Sequence, residues 1–194
     1  MARPREFDID SALESAMQTF WSKGYEATSV DDLCESTGLG RSSLYAAFGD
    51  KQALYLQALD RYERDASARV SAALAGPLPI RESIAAFLSR LIDDITAGPG
   101  RRGCFIGNCS AELARGDRDA AKQVRRSLAR VEKVFREALT QAKARGELDA
   151  ASNVVALARF LTSGIQGLRL VGKANPDRQM LDDIAKVMLR SFTL

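Results

Sequence analysis

The sequence predicts an all-α protein of about nine helices, and three observations support this prediction. Apolar residues recur at intervals of three and four along nearly the whole chain, which is the spacing of one helix face. No segment shows the alternation of apolar and polar residues that marks a half-buried strand. Clusters of Gly and Pro separate the periodic segments. Residues 1–50 are expected to form a small three-helix domain, residues 50–75 a connecting helix, and residues 76–194 a larger helical bundle.

The composition argues against most classes of enzyme. The chain has 194 residues, three cysteines and no histidine. Without histidine it cannot build a Ser-His-Asp or Cys-His nucleophile or a histidine-ligated metal site. We therefore expect no enzymatic activity, no metal and no cofactor.

The hydropathy pattern and the cysteine count indicate where the protein works. No run of about 18 apolar residues is present, and the polar N-terminus lacks the apolar core of a signal peptide. An odd number of cysteines without close-set pairs suits a reducing compartment. We expect a cytoplasmic protein without a membrane partner.

The chain begins with a short basic arm and a first helix. Arg3 and Arg5 flank Pro4, which keeps the arm extended. Such an arm suits insertion into a DNA minor groove, and a frayed terminus is the alternative. Asp8 is a candidate cap for the first helix, and Gly24 is expected to end it.

Residues 28–51 form the most distinctive stretch. Thr28 and Ser29 are natural helix caps, followed at capping-box spacing by acidic residues, and Gly38 ends the first short helix. In the second short helix, two apolar residues are expected to face inward, Leu44 and Phe48, and polar residues outward, Arg41, Ser42, Ser43 and Tyr45. Two short helices joined by a tight glycine turn constitute the helix-turn-helix pattern.

Six more helices are predicted in the rest of the chain. They cover approximately residues 50–74, 80–97, 103–115, 119–145, 150–173 and 177–192. Residues 98–103, Gly-Pro-Gly-Arg-Arg-Gly, match the G-x-G-x-x-G pattern of dinucleotide sites. A strand should precede such a site, whereas the segment before it has helical periodicity, so we expect a basic loop.

Charge alone does not predict a nucleic-acid partner. Residues 1–64 contain 7 Lys and Arg against 11 Asp and Glu, a net charge of −4. Residues 65–194 contain 21 against 14, a net charge of +7. Binding of DNA by the first domain therefore requires its few cations to share one face.

The end of the helix-turn-helix provides the family resemblance. The residues Leu44-Tyr45-x-x-Phe48-x-x-Lys51, preceded by AMQTFWSKGYEATSV at residues 16–30, resemble the DNA-binding domain of TetR-family transcriptional regulators. The resemblance implies a ligand-responsive repressor that binds a palindromic double-stranded operator as a homodimer. A small-molecule or thiol-reactive effector would release it. Activation in place of repression stays open, and a helical protein–protein adaptor without DNA binding is the alternative function.

The resemblance makes residues 41–47 the recognition helix. Arg41 would offer paired donors to a guanine edge, with Ser42 and Ser43 making adaptable contacts. Phosphates would be held by Thr28, Tyr45 and Lys51, and the minor groove entered by Arg3 and Arg5.

An effector pocket is expected within residues 80–170. Its suggested lining is mostly apolar, which favours an apolar ligand: Phe87, Leu91, Phe105, Phe135 and Phe160. Cys104 follows Arg101 and Arg102 at a helix start, and both features favour a thiolate that reacts with electrophiles. Some TetR-family members use a similar Gly-Cys opening for oxidant or electrophile sensing, and a small core residue is the alternative.

The last two helices are the expected dimer interface, as the resemblance implies. Gly164 and Gly167 would let a partner helix approach closely, although an ordinary intrachain core is also possible. The predicted contact residues are Leu157, Leu161, Ile165, Leu168, Ile184, Val187 and Met188.

Overall fold

The computed structural model describes residues 8–192, so the arm with Arg3 and Arg5 lies outside the described residues. Across residues 8–192 the chain contains nine α-helices, one short 3-10 helix and no strand, which confirms the all-α prediction. The α-helices are α1 (Ile9–Lys23), α2 (Val30–Thr37), α3 (Arg41–Phe48), α4 (Lys51–Leu74), α5 (Ile80–Ala97), α6 (Phe105–Glu112), α7 (Arg118–Ala144), α8 (Val154–Ala174) and α9 (Arg178–Arg190).

The ends of the first helices follow from their capping residues. The Asp8 carboxylate caps α1 by accepting from Asp10 N at 3.0 Å. Ser29 and Asp32 form a reciprocal capping box at the start of α2. Gly38 ends α2 with φ of +70°, a left-handed conformation that favours glycine. The predicted helix-turn-helix is therefore confirmed.

The first hydrophobic core joins the helix-turn-helix to later parts of the chain. Leu33 and Leu44 are buried beside α1 and α4. The Phe105 ring of α6 packs edge-on against Tyr55 and Tyr62 of α4, with ring centroids 5.4 Å and 5.8 Å apart. The same core includes Val124 of α7. Although α6 and the start of α7 follow the predicted boundary near residue 76, they share a core with the N-terminal domain.

A second core lies between α5, α7, α8 and α9. Its fully buried residues include Ile84, Phe135 and Leu161. By length and composition alone α8 could span a membrane, but in this fold one side of it packs against α5, α7 and α9. The opposite side of α8 is exposed.

Helices α4 and α7 run side by side in the same direction. Three polar contacts join the two helices, and residue numbers increase along both helices from one contact to the next. The pairs are Gln52 with Asp117, Asp60 with Gln123, and Glu63 with Arg130. The numbering difference within each pair stays between 63 and 67. The first turn of α7 therefore lies level with the first turns of α4.

The Gly-rich stretch at residues 98–103 follows a helix, as predicted. Helix α5 precedes it, and Pro99–Arg102 form the 3-10 helix. A Cβ atom on Gly100 would lie 2.3 Å from the Asp94 carboxylate, so this glycine allows a tight turn after α5. The G-x-G-x-x-G match is therefore a helix-ending turn with no strand before it.

Candidate nucleic-acid interface and regulatory cavity

Helix α3 presents a polar face to solvent. Arg41, Ser42, Ser43 and Tyr45 are all exposed, which confirms their predicted orientation. Leu44 and Phe48 are 2% and 4% exposed and hold the opposite face in the core. The Arg41 guanidinium donates to the Asp31 carboxylate at 2.8 Å. Both groups are solvent-exposed, and such pairs contribute little to stability, so the guanidinium can exchange Asp31 for another acceptor.

The first residue of α4 provides a second cationic group. The Lys51 ammonium lies 4.4 Å from the centroid of the Tyr25 ring, which positions it by a cation–π contact. Lys51 also lies at a helix N-terminus, where unpaired N–H groups favour anions. A phosphate group matches this combination.

The structure contradicts the phosphate contact predicted for the Thr28 side chain. Thr28 is 0% exposed, and its hydroxyl donates to Gly24 O at 2.6 Å. The hydroxyl secures the turn before α2 and cannot reach a ligand outside the protein. The exposed residue at this helix start is Ser29, the N-cap.

The acidic residue of the capping box keeps its charge over a wide pH range. A hydrogen bond from Lys23 Nζ at 2.5 Å, together with two from Ser29, lowers the pKa of Asp32 to about 2. The carboxylate therefore remains an acceptor for the first turn of α2. Part of the negative charge of this domain thus serves to fix its helices.

A cavity of about 770 Å3 lies between α1, α4, α5, α7, α8 and the first turn of α6. This volume is within the range of small-molecule sites. Three of the predicted effector residues line it: Phe87, Leu91 and Cys104. Apolar side chains that sequence reasoning missed complete much of the wall: Met17, Trp21, Tyr62, Val70, Leu128, Val131 and Ile165.

Three other residues predicted for the effector pocket lie away from this cavity. Phe105 belongs to the first core and Phe135 to the second, and they are only 1% and 0% exposed. Phe160 lies on the outer side of α8 and is 42% exposed. None of the three lines the cavity. Helical periodicity predicts which face of each helix is apolar, but it does not predict which other helix that face packs against.

The cavity wall also carries polar groups. Ser127 is 2% exposed, and its Oγ is the one buried side-chain nitrogen or oxygen in residues 8–192 without a hydrogen-bond partner. Arg169 donates to the Tyr62 hydroxyl at 3.3 Å. The buried Glu63 carboxylate accepts from Ser67 and is paired with Arg130. Burial raises the pKa of Glu63, while these two contacts oppose that effect.

Cys104 lies at the N-cap of α6, as predicted, and is 8% exposed on the cavity wall. The expected support from Arg102 is not found. That guanidinium stacks 4.0 Å from the centroid of the Trp21 ring and donates to Gln18 and Ser22 of α1. Cys109 is fully buried, and its burial raises the pKa of the thiol to about 11. Of these two thiols, only that of Cys104 faces the cavity.

Two sets of hydrogen bonds connect the cavity region to the helix-turn-helix. The Glu112 carboxylate at the end of α6 accepts from the Tyr25 and Glu26 amides at 3.2 Å and 2.9 Å. Trp21 Nε1 donates to Gly103 O at 3.1 Å, just before α6. Helix α6 is thus attached near both ends to the N-terminal domain. The sequence carried no signal for these pairs because they join residues more than 80 positions apart.

The predicted dimer residues divide into two groups. Leu161, Ile165, Leu168 and Met188 are buried within one chain, so their side chains belong to its own core and are not on its surface. Leu157 and Ile184 are partly buried against the same core. Val187 is 60% exposed. Other exposed apolar side chains on α8 are Val155, Phe160, Leu170 and Val171.

Comparisons with known proteins agree with this architecture. Residues 12–58 match the family described as bacterial regulatory proteins, tetR family. Residues 81–188 match the tetracyclin repressor-like C-terminal domain. The HTH-type transcriptional repressor ComR of Escherichia coli is 34% identical over 189 residues, which cover 97% of this chain and 90% of ComR. The HTH-type regulator YezE of Bacillus subtilis is 31% identical, over 97% of this chain and 98% of YezE.

A solved structure extends the similarity to a DNA complex. It contains a cysteine mutant of the TetR-family regulator CifR bound to a 26-base-pair double-strand operator. The TM-score is 0.87 at 29% identity, and the match covers 99% of this chain and 100% of CifR. The relatives are named as transcriptional regulators, and none supports the adaptor alternative. The chain belongs to the TetR family, and it is a transcriptional regulator rather than an enzyme.

Proposed function

We propose that this protein is a homodimeric repressor that binds a palindromic operator through α3 and releases it when an effector enters the cavity. The exposed polar face of α3, fixed by the buried Leu44 and Phe48, carries the proposal. The operator complex of the similar protein CifR supports it. A repressor acts on chromosomal DNA, so its place of action is the cytoplasm.

Each exposed group at this surface has a defined role. Arg41 leaves Asp31 and offers two donors to the edge of a guanine. Ser42 and Ser43 donate to or accept from neighbouring bases or phosphates. Tyr45 and Lys51 hold phosphates and fix the position of α3 in the major groove. Sequence preference therefore depends mainly on Arg41.

Selection of bound fragments from a random duplex library tests the proposed binding. We expect the wild-type protein to enrich a two-fold symmetric site whose half-sites lie one helical turn, or a multiple of one turn, apart. Enrichment of no sequence, or of an asymmetric single half-site, would contradict it.

The effector is proposed to be a small molecule with an apolar body and at least one hydrogen-bonding group. Phe87, Leu91 and Val131 provide apolar walls. Ser127 and Arg169 can each donate a hydrogen bond to an oxygen atom of the ligand. An electrophile would also find the Cys104 thiol on the same wall.

The single tryptophan of the chain gives a direct readout of effector binding. Trp21 lines the cavity, so a ligand that enters should change its fluorescence. An aromatic carboxylate and its neutral amide form a suitable probe pair, because only the carboxylate can form an ion pair with the Arg169 guanidinium. We expect saturable fluorescence changes and tighter binding of the carboxylate. Fluorescence changes that do not saturate would contradict the proposed site.

Dimerisation is proposed to use the outer faces of α8 and α9. These faces hold exposed apolar side chains that the single chain leaves in solvent, notably Phe160, Val171 and Val187. On the same side of α8, Gly167 has no neighbouring atom within 4 Å of a Cβ position, so a partner helix can approach its backbone. A second copy would bury this surface and hold two α3 helices at a fixed spacing.

Helix α6 is the proposed link between effector and DNA. Its first turn borders the cavity at Cys104 and Ile106, and its last residue, Glu112, holds the turn before α2. A ligand that displaces the start of α6 would shift that turn and the α3 helix after it. The ligand must bind the shifted arrangement more tightly for release to follow.

A further inference from the structure

The connection between α6 and α7 lies beside the part of the protein that faces DNA in the proposed function. Before the connection, Glu112 accepts from the amides of Tyr25 and Glu26, in the turn that leads into α2. After it, the Asp117 carboxylate accepts from Gln52 Nε2 at 2.6 Å. Gln52 follows Lys51, the proposed phosphate ligand. Residues 113–117 are therefore held next to the start of α2 and the start of α4, where the proposed phosphate ligand Lys51 lies.

Three cations occupy this connection and the first turn of α7. Arg115, Arg118 and Lys122 are exposed and form no ion pair with any part of the chain that the structure describes. Arg118 and Lys122 are one helical turn apart and share a face of α7. Because α7 runs parallel to α4, Arg118 lies level with the first turn of α4.

The charge distribution of the chain favours contacts between these cations and DNA. The first 64 residues have a net charge of −4, so the domain that carries α3 supplies few cations of its own. Most protein–DNA affinity comes from neutralising phosphates with Lys and Arg. The positive charge of this chain lies in its later part. Within residues 112–122 three carboxylates balance the three cations, but two of them, Glu112 and Asp117, already accept hydrogen bonds from Tyr25, Glu26 and Gln52. The exposed cations are therefore available to phosphates at the level of the first turn of α4.

We propose that Arg115, Arg118 and Lys122 bind backbone phosphates of the operator outside the bases that α3 reads. This inference rests on the proposed DNA binding and adds a second contact surface, supplied by the regulatory part of the chain. The contacts lengthen the bound segment of DNA and contribute affinity without sequence preference. Because Arg115 lies in the connection that follows α6, a shift of α6 would also weaken its contact.

The test compares the double variant Arg115→Gln/Arg118→Gln with a control of equal charge change. The control is Arg125→Gln/Arg126→Gln, whose arginines are exposed on the same helix about 10 Å further along its axis. Binding is measured against salt concentration on two duplexes, one ending at the half-sites and one extended by ten base pairs on each side. Helical content measured by circular dichroism checks that both variants fold.

The slope of log K against log salt is negative. On the extended duplex, each phosphate that the protein no longer neutralises should reduce the magnitude of this slope by about 0.9. We expect this decrease for Arg115→Gln/Arg118→Gln but not for the control. On the short duplex both variants should bind like the wild type. Equal slopes for all three proteins on the extended duplex would overturn the inference and leave the cations to an acidic protein partner. A wild type that binds neither duplex would instead overturn the proposed function.

Discussion

Gly38 and Gly40 flank Leu39 in the helix-turn-helix, but only Gly38 requires glycine. Gly38 has φ of +70°, whereas Gly40 has φ of −70°. A Cβ atom would meet nothing within 4 Å at either position. Backbone conformation alone therefore distinguishes them.

Alanine substitution at the two glycines should have different effects on stability. Gly38→Ala should lower the free energy of unfolding by about 1–2 kcal/mol, the cost of a left-handed non-glycine residue. Gly40→Ala should change the free energy of unfolding little, because the gain of about 0.4–1 kcal/mol from restricting the unfolded chain is offset by the lower preference for alanine than for glycine at the N-cap of α3. Urea denaturation measures both values. A Gly38→Ala variant as stable as Gly40→Ala would contradict the backbone assignment.

The residues that sequence analysis predicted best are those whose role is local. Asp8, Ser29 and Gly38 act on their own helix ends, and their roles follow from chemistry within a few positions. Thr28 was misassigned for the same reason: a hydroxyl near a helix start is a good candidate ligand until tertiary packing buries it at 0% exposure. Burial depends on α1 and the turn after it, which the local pattern does not contain.

Among the helices, α6 has only eight residues but contacts three separate regions of the protein. Its Phe105 joins the first core, its Cys104 faces the cavity, and its Glu112 holds the turn before α2. This short helix therefore contacts the first hydrophobic core, the cavity and the turn before α2, which are the three regions that the proposed mechanism connects.

Removal of the Glu112 carboxylate should loosen the turn before α2. In Glu112→Ala the Tyr25 and Glu26 amides lose their acceptor. Hydrogen bonds to charged groups contribute about 1.5–3 kcal/mol, so amide exchange at these residues should accelerate about 10- to 150-fold. Hydrogen exchange measures this, with Glu82→Ala as control, because Glu82 is exposed and makes no side-chain hydrogen bond within residues 8–192. Unchanged exchange in Glu112→Ala would show that α6 does not hold the turn.

Ser127 should affect stability and ligand binding in opposite directions. Its buried hydroxyl lacks a partner, and such a group costs about 1–3 kcal/mol. Ser127→Ala should therefore stabilise the ligand-free protein while weakening the binding of an oxygen-bearing effector. Thermal unfolding and Trp21 fluorescence measure the two effects.

The control for Ser127 is the buried Ser83, whose hydroxyl donates to Leu78 O at 3.2 Å. Ser83→Ala loses that bond and should be destabilised by about 1 kcal/mol, with ligand binding unchanged. Destabilisation of Ser127→Ala to the same extent would mean that its hydroxyl already has a structural partner.

The elements themselves were predictable, whereas their packing was not. Periodicity and the Gly and Pro breaks located the helices to within a few residues. The cavity is formed by residues from six α-helices, and no one-dimensional pattern specifies which apolar faces leave a gap between them. Phe135 and Phe87 illustrate this: both are apolar residues at helical spacing, and only Phe87 reaches the cavity.

At the scale of the whole molecule, an exposed apolar surface remains on α8 and α9. Val187 is 60% exposed and Leu161 is 0% exposed, although both were expected at the dimer interface. A substitution at Val187 therefore tests dimerisation, whereas a substitution at Leu161 tests folding.

A charge at Val187 should produce a folded monomer. Val187→Glu places a carboxylate on the proposed interface, so the dimer should dissociate and operator affinity should fall, while the helical content remains. Leu161→Glu buries the same charge in the core and should unfold the bundle. Analytical ultracentrifugation with circular dichroism distinguishes the two variants. A Val187→Glu protein that stays dimeric would exclude this face as the interface.

In the proposed function α3 reads the DNA sequence while the start of α4 holds the phosphate backbone. The most direct test is the salt dependence of binding to the selected operator for wild type, Arg41→Ala and Lys51→Ala. Arg41→Ala should bind about 5- to 150-fold more weakly and lose preference at one position in each half-site. Lys51→Ala should bind all sequences more weakly. The magnitude of its slope of log K against log salt should be smaller by about 0.9 for each phosphate that Lys51 neutralises in the wild type. Wild-type affinity, preference and slope in both variants would show that this surface does not bind the operator.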